Sequence, residues 1–458
     1  MKKGAVIGVV CGVLALGLGA IGVSAAVIFS NPTVKVTQGV TNLFSDYGKY
    51  LESMQVDGVD STIINDNYKA VMELDIFDVE GLDDFSLGMD ATVLCDYDNQ
   101  KIKEDFGISL SYYELLNFQM AVDKTDVYLD IPALYDGSIT FDSQNIDEQF
   151  NNSIFKEYVE TELEEEVSIN FFDKTVTESG SFYSKNKKEI MQIIKNAEIE
   201  KTGTVLPIEI GEKTVNCDGY MLSIKKDDIN ALYNSIYDTD EGYSLTNEDI
   251  QLTIFMDKKN NIKQIQTDEA IYLDEVDGEM SVAVKFIGEK YGFDRMKCKI
   301  GLNASGSEAV FDVDFAALKE NDEIKQKMQI IAEADGMDVM GFEFTYVMNE
   351  KDKTYDCDMG LDIEDENITV EMAGAFETDK KNYSMTFDDC AVYYEDEKVG
   401  SFEGSYRVEP LEEEIVIAPT KTYPIFEFTE SEFATFVMEC YENLEDYSSI
   451  FEGMDDLF

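Results

Sequence analysis

The chain has 458 residues, with 95 acids against 36 bases and no histidine, for a formal charge of −59. Such a field repels nucleic acid and anionic headgroups, and the lack of histidine removes the commonest general base at neutral pH and the commonest metal ligand. The length accommodates two or three ordinary domains or one very extended sheet, and only Arg295 and Arg407 among the bases are arginine.

In chain order, Lys2 and Lys3 precede an uncharged apolar stretch from Ala5 to Phe29. As a helix rising about 1.5 Å per residue, this stretch spans the roughly 30 Å of a hydrocarbon core. The positive-inside rule keeps the lysines in the cytoplasm and exports the body, which predicts a single-pass cell-membrane protein. Val23-Ser24-Ala25 also reads as a signal-peptidase site, which would give a secreted product instead. Gly4, Gly8 and Gly12 share one helix face and would allow two such segments to pack as a homodimer, although glycine is common in apolar helices.

Asn31 and Pro32 suit the start of a second helix. Val36, Val40, Leu43, Phe44, Tyr47, Tyr50, Leu51 and Met54 then recur at three- and four-residue steps, the mark of an amphipathic helix. From Lys69 to about Thr140 the pattern is period two. In FSLGMDATVLCDYD, Phe85, Leu87, Met89, Ala91, Val93, Cys95 and Tyr97 share one parity, and FGISLSYYE, NFQMAVD and DVYLDIP continue an antiparallel meander. Helices are expected over about 147–165 and in KNKKEIMQIIKNAE. Strand, helix and hairpin then follow in GYMLSIKKDDINALYNSIY and LTIFMDKKNNIKQIQTDEA.

From about 279 to 408 the chain is almost wholly alternating strand. Within it, DCDMGLDIEDENITVEMAGAF raises the choice between a calcium loop and a hairpin. Asp356, Asp358, Asp362 and Glu364 take one parity, and Cys357, Met359, Leu361 and Ile363 the other. That places acids on a wet face and apolar groups on a dry one. A calcium loop would need glycine at its sixth position, whereas Gly360 is fifth. The hairpin is therefore expected. The chain closes on a helix announced by a capping box from Thr429 to Glu432, with Phe433, Phe436, Val437, Cys440, Tyr441 and Leu444 as its face.

Cys95, Cys298 and Cys357 fall on apolar strand parity and Cys440 on an apolar helix stripe, which favours buried thiols over three disulfides. Ser184-x-x-Lys187 and Lys201-Thr202-Gly203 match two elements of penicillin-binding enzymes, but they lie too close together for the intervening domain. Two carboxylates at glycosidase spacing arise by chance among 95 acids, and tryptophan for sugar stacking is absent. Asp312-x-Asp314 and Asp356-x-Asp358 sit on wet strand faces, and Asp238-Thr239-Asp240-Glu241-Gly242 reads as a solvated loop. Neither catalytic nor metal-binding residues are expected, nor a cofactor.

The expected class is α+β and β-dominated: an N-terminal transmembrane helix, then long antiparallel meander sheets with a few packing helices. The expected boundaries are 1–30 for the anchor or signal, 31–275 for a first sheet with helices, 276–425 for a second meander, and 426–458 for a terminal helix and tail. The order of elements in DVYLDIPALYDGSITFD, GYMLSIKKDDINALYNSIY and LTIFMDKKNNIKQIQTDEA resembles that of LolA/LppX-like lipoprotein carriers. The resemblance implies a half-barrel over roughly 33–275 whose concave face holds an acyl chain. On that reading Phe85, Leu87, Met89, Val93, Phe106, Ile108, Leu110, Tyr128 and Ile131 line an apolar groove. The expected function is then a non-enzymatic surface protein of Gram-positive type that binds lipid or a lipidated partner. The alternative is a structural or protein-interaction module of the cell surface with a closed core.

Overall fold

A computed structural model of the chain describes residues 32–54, 66–79, 86–157 except 112, 167–172, 190–237 except 191, 244–273, and 277–452 except 305, 364–365 and 380. The expected anchor over 1–30, with Gly4, Gly8 and Gly12, lies outside these residues, as does Phe85. Among the described residues no helix is long and apolar enough to cross a membrane.

The chain opens with α1 (Pro32–Met54), then β1 (Tyr68–Phe77), β2 (Leu87–Asp96), β3 (Lys101–Leu110), β4 (Tyr113–Asp123), β5 (Asp126–Asp130), β6 (Ser138–Asp142) and the short α2 (Ile146–Asn151). Next come β7 (Glu198–Ile210), β8 (Lys213–Ile224), α3 (Lys226–Tyr237), β9 (Ile250–Met256), β10 (Ile262–Thr267), β11 (Ile271–Leu273) and β12 (Gly278–Phe286). The long hairpins follow: β13 (Arg295–Ala304), β14 (Ser307–Glu320), β15 (Glu323–Ala334), β16 (Met337–Asn349), β17 (Thr354–Ile363), β18 (Glu366–Asp379), β19 (Asn382–Tyr394) and β20 (Glu397–Pro410). A short β21 (Thr422–Pro424) leads into α4 (Glu430–Glu452). The β-dominated class and the meanders are as the alternation dictates.

The described residues divide into two compact units, the first drawn from 1–56, 178–371 and 393–397, the second from 57–177, 372–392 and 398–458. In the first, β7, β8, β9, β10, β12, β13, β14, β15, β16 and β17 pair in that order, all antiparallel. The β15–β16 turn is Asp335–Gly336 with φ of 51° and 79°. Positive φ at both central residues marks the primed turn whose twist matches the strands. Beyond β17, the Asn367 side-chain amide donates to Asp362 Oδ1 at 2.5 Å.

The core of this unit lies over β8 to β12. Val36, Val40, Leu43 and Tyr50 of α1, Ile190, Ile193 and Ile194 of the segment 190–196, and Ile229 and Leu232 of α3 pack on Tyr220, Leu222, Ile254, Met256 and Met280. The periodic face of α1 is therefore a packing face. Gly39 lets α1 approach, since a side chain there would run into the Met256 thioether. The Asn42 amide donates to Asn260 O and Asn261 Oδ1, each at 3.2 Å, which fixes the helix to the β9–β10 turn.

In the second unit β20, β1, β2, β3, β4, β5 and β6 pair antiparallel, and β21 adds to β6 in parallel. The capping box of α4 is formed: Thr429 N–H donates to Glu432 Oε2 at 2.9 Å, and Glu432 N–H to Thr429 Oγ1 at 3.3 Å. Phe433, Phe436 and Cys440 pack with Tyr135, Tyr423 and Phe428. Tyr441 and Leu444, expected on the same face, are 66% and 47% exposed. All six described cysteines are thiols, and Cys217, fully buried, has its pKa pushed up to about 11 by burial.

Truncating the α1 contact should reveal its share of stability. Leu43→Ala is expected to lower the unfolding free energy by about 2–4 kcal/mol in urea denaturation. Met438→Ala, on the exposed side of α4, should change it by no more than about 0.5 kcal/mol.

Candidate functional site

A cavity of the first unit opens on the wet face of β13 to β16, with a volume of about 850 Å³. Its rim comes from the β7–β8 turn, with Glu209 and Gly211, and from the β12–β13 loop, with Gly288, Glu289, Lys290 and Asp294. The loop is held from inside. The Asp294 carboxylate accepts the N–H groups of Lys290 at 3.0 Å and Tyr291 at 3.2 Å. Any side chain at Gly288 would collide with that carboxylate, so glycine is what lets the loop close. Tyr291 and Phe293 point the other way and pack on Tyr50, whose phenol is raised to about 12 by burial and by the Asp294 charge.

Strand register sets the floor. Arg295 lies opposite Ala316, Ala316 opposite Lys327, and Lys327 opposite Thr345. In the next row Leu318 faces Lys325, and Lys325 faces Val347. Ala316 thus leaves an empty place between two long cations, at neighbouring-strand separations of about 4.8 Å each. Leu318 and Val347 add apolar ground beside it. Arg295 Nη2 and Lys297 Nζ both reach Asp314 Oδ2, at 3.1 and 2.8 Å. Burial pushes the Asp314 carboxyl up, but these two cations more than reverse it and hold the group below the usual carboxylate range.

Five bases, Lys290, Arg295, Lys297, Lys325 and Lys327, line the cavity beside four acids, Glu209, Glu289, Asp294 and Glu320. The chain as a whole has 36 bases to 95 acids, so bases are locally enriched here. Lys325 pairs with Glu323 at 2.6 Å on the exposed edge. Lys327 has no ion pair among the described residues. A signal for the cluster was present in the sequence: RMKCKIG and EIKQKMQ each place bases two apart, hence on one strand face.

The residues expected to line an apolar groove fall into three places in the second unit. Leu87 faces Leu110, Met89 faces Ile108, and Val93 and Phe106 continue the same face, all half-buried. Tyr128 is not among them. It faces Ala121, which faces Lys103, and so lies on the opposite side of the sheet against a cavity of about 180 Å³. Ile131 lies beyond the strand and packs with Tyr135 and Phe436. Among the described residues no group of three or more acids or cysteines is arranged to hold a metal ion. Of the motif resembling penicillin-binding enzymes, Lys201 is bonded to Asp218 at 2.9 Å, and Ser184 and Lys187 lie outside the described residues.

No family model matches the chain, and no curated protein matches it. Among solved structures it is similar to a mutant porin of Rh. blastica at 9% identity and a TM-score of 0.22, covering 75% of this chain and 98% of that one. An anion-selective porin from Comamonas acidovorans matches at 8% identity and 0.21, covering 74% and 97%. OmpT, an outer membrane protein of Vibrio cholerae, matches at 8% and 0.19, covering 75% and 96%.

These findings correct several expectations. The resemblance to LolA/LppX-like carriers is withdrawn: no family model matches the chain, the solved structures it is matched to are described as porins and an outer membrane protein rather than such carriers, and the three stretches that suggested a carrier do not share a unit. DVYLDIPALYDGSITFD belongs to the second, and the other two to the first. Lipid binding in a half-barrel groove falls with it, as does its assignment to a Gram-positive surface protein, and the closed-core module fits no better. The single-pass anchor, with the membrane and homodimer partnerships drawn from it, gains no support from the structure: it falls on residues outside those described, and no described helix is long and apolar enough to cross a membrane.

Asp314 provides a pH test of the cavity floor. Its folded pKa is lowered, so its stabilisation is present above the ordinary carboxylate value and is lost as pH falls through the lowered one. Asp314→Asn should therefore melt below the parent at neutral pH, with the gap shrinking below about pH 4. Melting curves between neutral and strongly acidic pH read the difference.

Proposed function

We propose that the protein is a non-enzymatic binding protein whose wet-face cavity takes a small anionic molecule, an organic carboxylate or phosphate ester. The observation that carries this reading is the gathering of Lys290, Arg295, Lys297, Lys325 and Lys327 around one cavity in a chain dominated by acids. Arg295 offers a planar fork suited to an oxyanion, and lysines add point charges. Because Arg295 and Lys297 share one Asp314 oxygen, one of their two positive charges is left for a ligand. Ala316, Leu318 and Val347 supply ground for a carbon skeleton, and the volume falls in the range of small-molecule sites. The lining contains no histidine, cysteine or serine, which favours binding over acyl or phosphoryl transfer.

Isothermal titration of the full chain with citrate, glucose 6-phosphate and inorganic phosphate tests the proposal. At least one should bind, and Lys327→Ala should weaken it about tenfold, the equivalent of about 1.4 kcal/mol. Asp314→Asn should tighten it by freeing both cations. Lys351→Ala, at the β16–β17 turn and outside the cavity, should leave affinity unchanged. Absence of heat with all three anions, or equal losses from Lys327→Ala and Lys351→Ala, would refute the site.

A further inference from the structure

In the second unit a strap of irregular chain crosses the wet face of the sheet between two ties. At one end Ile415 is buried, and the Lys101 ammonium donates to its carbonyl at 3.3 Å. At the other, the Ser138 N–H donates to the Lys421 carbonyl at 2.9 Å, where β21 joins β6 in parallel. Among the described residues no hydrogen bond reaches Val416, Ile417, Ala418 or Pro419 between the ties. These four residues and the strands beneath them enclose a cavity of about 180 Å³.

Register builds its floor from two adjacent rows. In one, Lys103 faces Ala121 and Ala121 faces Tyr128; in the other, Gln119 faces Asp130. Ser138, on β6 beside Ile139, which faces Leu129, is 1% exposed and lines the same space. Ala121 leaves the floor open between the lysine and the phenol. Among the described residues the side chains of Gln119, Tyr128, Asp130 and Ser138 have no hydrogen-bond partner, and Asp130 Oδ1 is shut off from solvent. Buried polar groups are ordinarily bonded, so this lining has capacity to spare. Lys103 gives a bond to Asp105 at 3.2 Å, and an ammonium has three donors.

One cation and one carboxylate therefore line a single small space without pairing to each other. A hard metal ion would demand six or more oxygen ligands, and one carboxylate does not supply them. We propose that the cavity binds a small zwitterion, an α-amino acid with a short side chain, its carboxylate on Lys103 and its ammonium on Asp130, Gln119 and Ser138. The two charged residues stand two strands apart, about 10 Å across the sheet. The charged groups of an amino acid lie roughly 3 Å apart, and a hydrogen bond of about 2.9 Å at each end brings the span close to that. The volume corresponds to about six waters at roughly 30 Å³ each, a size that suits glycine or alanine. The site is independent of the anion cavity, which belongs to the other unit.

Isothermal titration of the full chain at physiological ionic strength tests it, with glycine and L-alanine set against methylamine and acetate, which carry one charge each. At least one amino acid should bind about tenfold more tightly than either fragment. Asp130→Asn should reduce its affinity to the level of acetate, and Lys103→Met to that of methylamine. Asp126→Asn removes the same unit of charge from the same strand, outside the cavity, and should leave affinity unchanged. Ala121→Leu fills the floor without touching a charge and should abolish binding. No heat with either amino acid, or affinities no better than those of the fragments, would overturn the proposal. Equal losses from Asp130→Asn and Asp126→Asn would assign binding to the diffuse field of the chain and overturn it too, as would unchanged binding by Ala121→Leu.

Discussion

An antiparallel sheet has two faces, and side-chain alternation commits every residue to one of them. All else in this protein depends on how each dry face is kept from water. In the first unit the face of β8 to β12 is closed by α1, the segment 190–196 and α3, and Leu222, Ile254 and Met256 are 3% exposed or less. From β13 to β17 the same face continues through Cys298, Val313, Ile330, Phe342 and Leu361, directly opposite one another across five strands. These side chains are only half-buried. Full burial of such a residue contributes about 1.5–3 kcal/mol, so the hairpins gain less per residue than the helix-covered core. Their stability rests more on cross-strand contacts and on the ladder of backbone hydrogen bonds.

The wet faces carry the opposite difficulty. Acids meet acids: burial raises Asp358, and its neighbours Glu371 and Asp356 raise it further. Like charges on one face oppose the compact state. At physiological salt the screening length is about 8 Å, so repulsion between exposed acids acts mainly among near neighbours. Individual cations then matter through position. Lys319, largely buried, reaches the still more buried Glu350 at 2.7 Å, and Lys299 sits opposite Asp312. The exposed pairs are each worth about 1 kcal/mol or less. The wet-face cavity differs because five bases converge on it and Arg295 and Lys297 share a single carboxylate, Asp314.

The alternation made much of this fold legible in advance. The acidic hairpin at β17, the packing face of α1 and the cap of α4 all follow from spacing alone. Tyr128 was not legible, for a definite reason. DVYLD has three apolar residues in succession, so parity gives no choice of face. Register decides it, pairing Val127 with Val122 and Leu129 with Met120, and this turns Tyr128 to the wet side. The terminal helix poses the same ambiguity in helical form. It carries apolar residues on two stripes, and contact with Tyr135, Tyr423 and the Leu134 carbonyl, which Asn443 reaches at 3.0 Å, selects one of them. The division into two units was illegible as well, because it depends on pairings such as Tyr68 with Pro410, hundreds of positions apart.

Charges carry different weight on the two faces. A lysine on wet parity costs the fold almost nothing, so a basic cluster acquires meaning only from convergence: several strands must present bases to one space, with small residues leaving that space empty. Ala316 between Arg295 and Lys327 meets that condition. A carboxylate on dry parity is informative by itself, because half-burial without a partner penalises the folded state. Glutamine or methionine would fill the place of Glu104, which lies opposite Val93 and Met120, without that penalty.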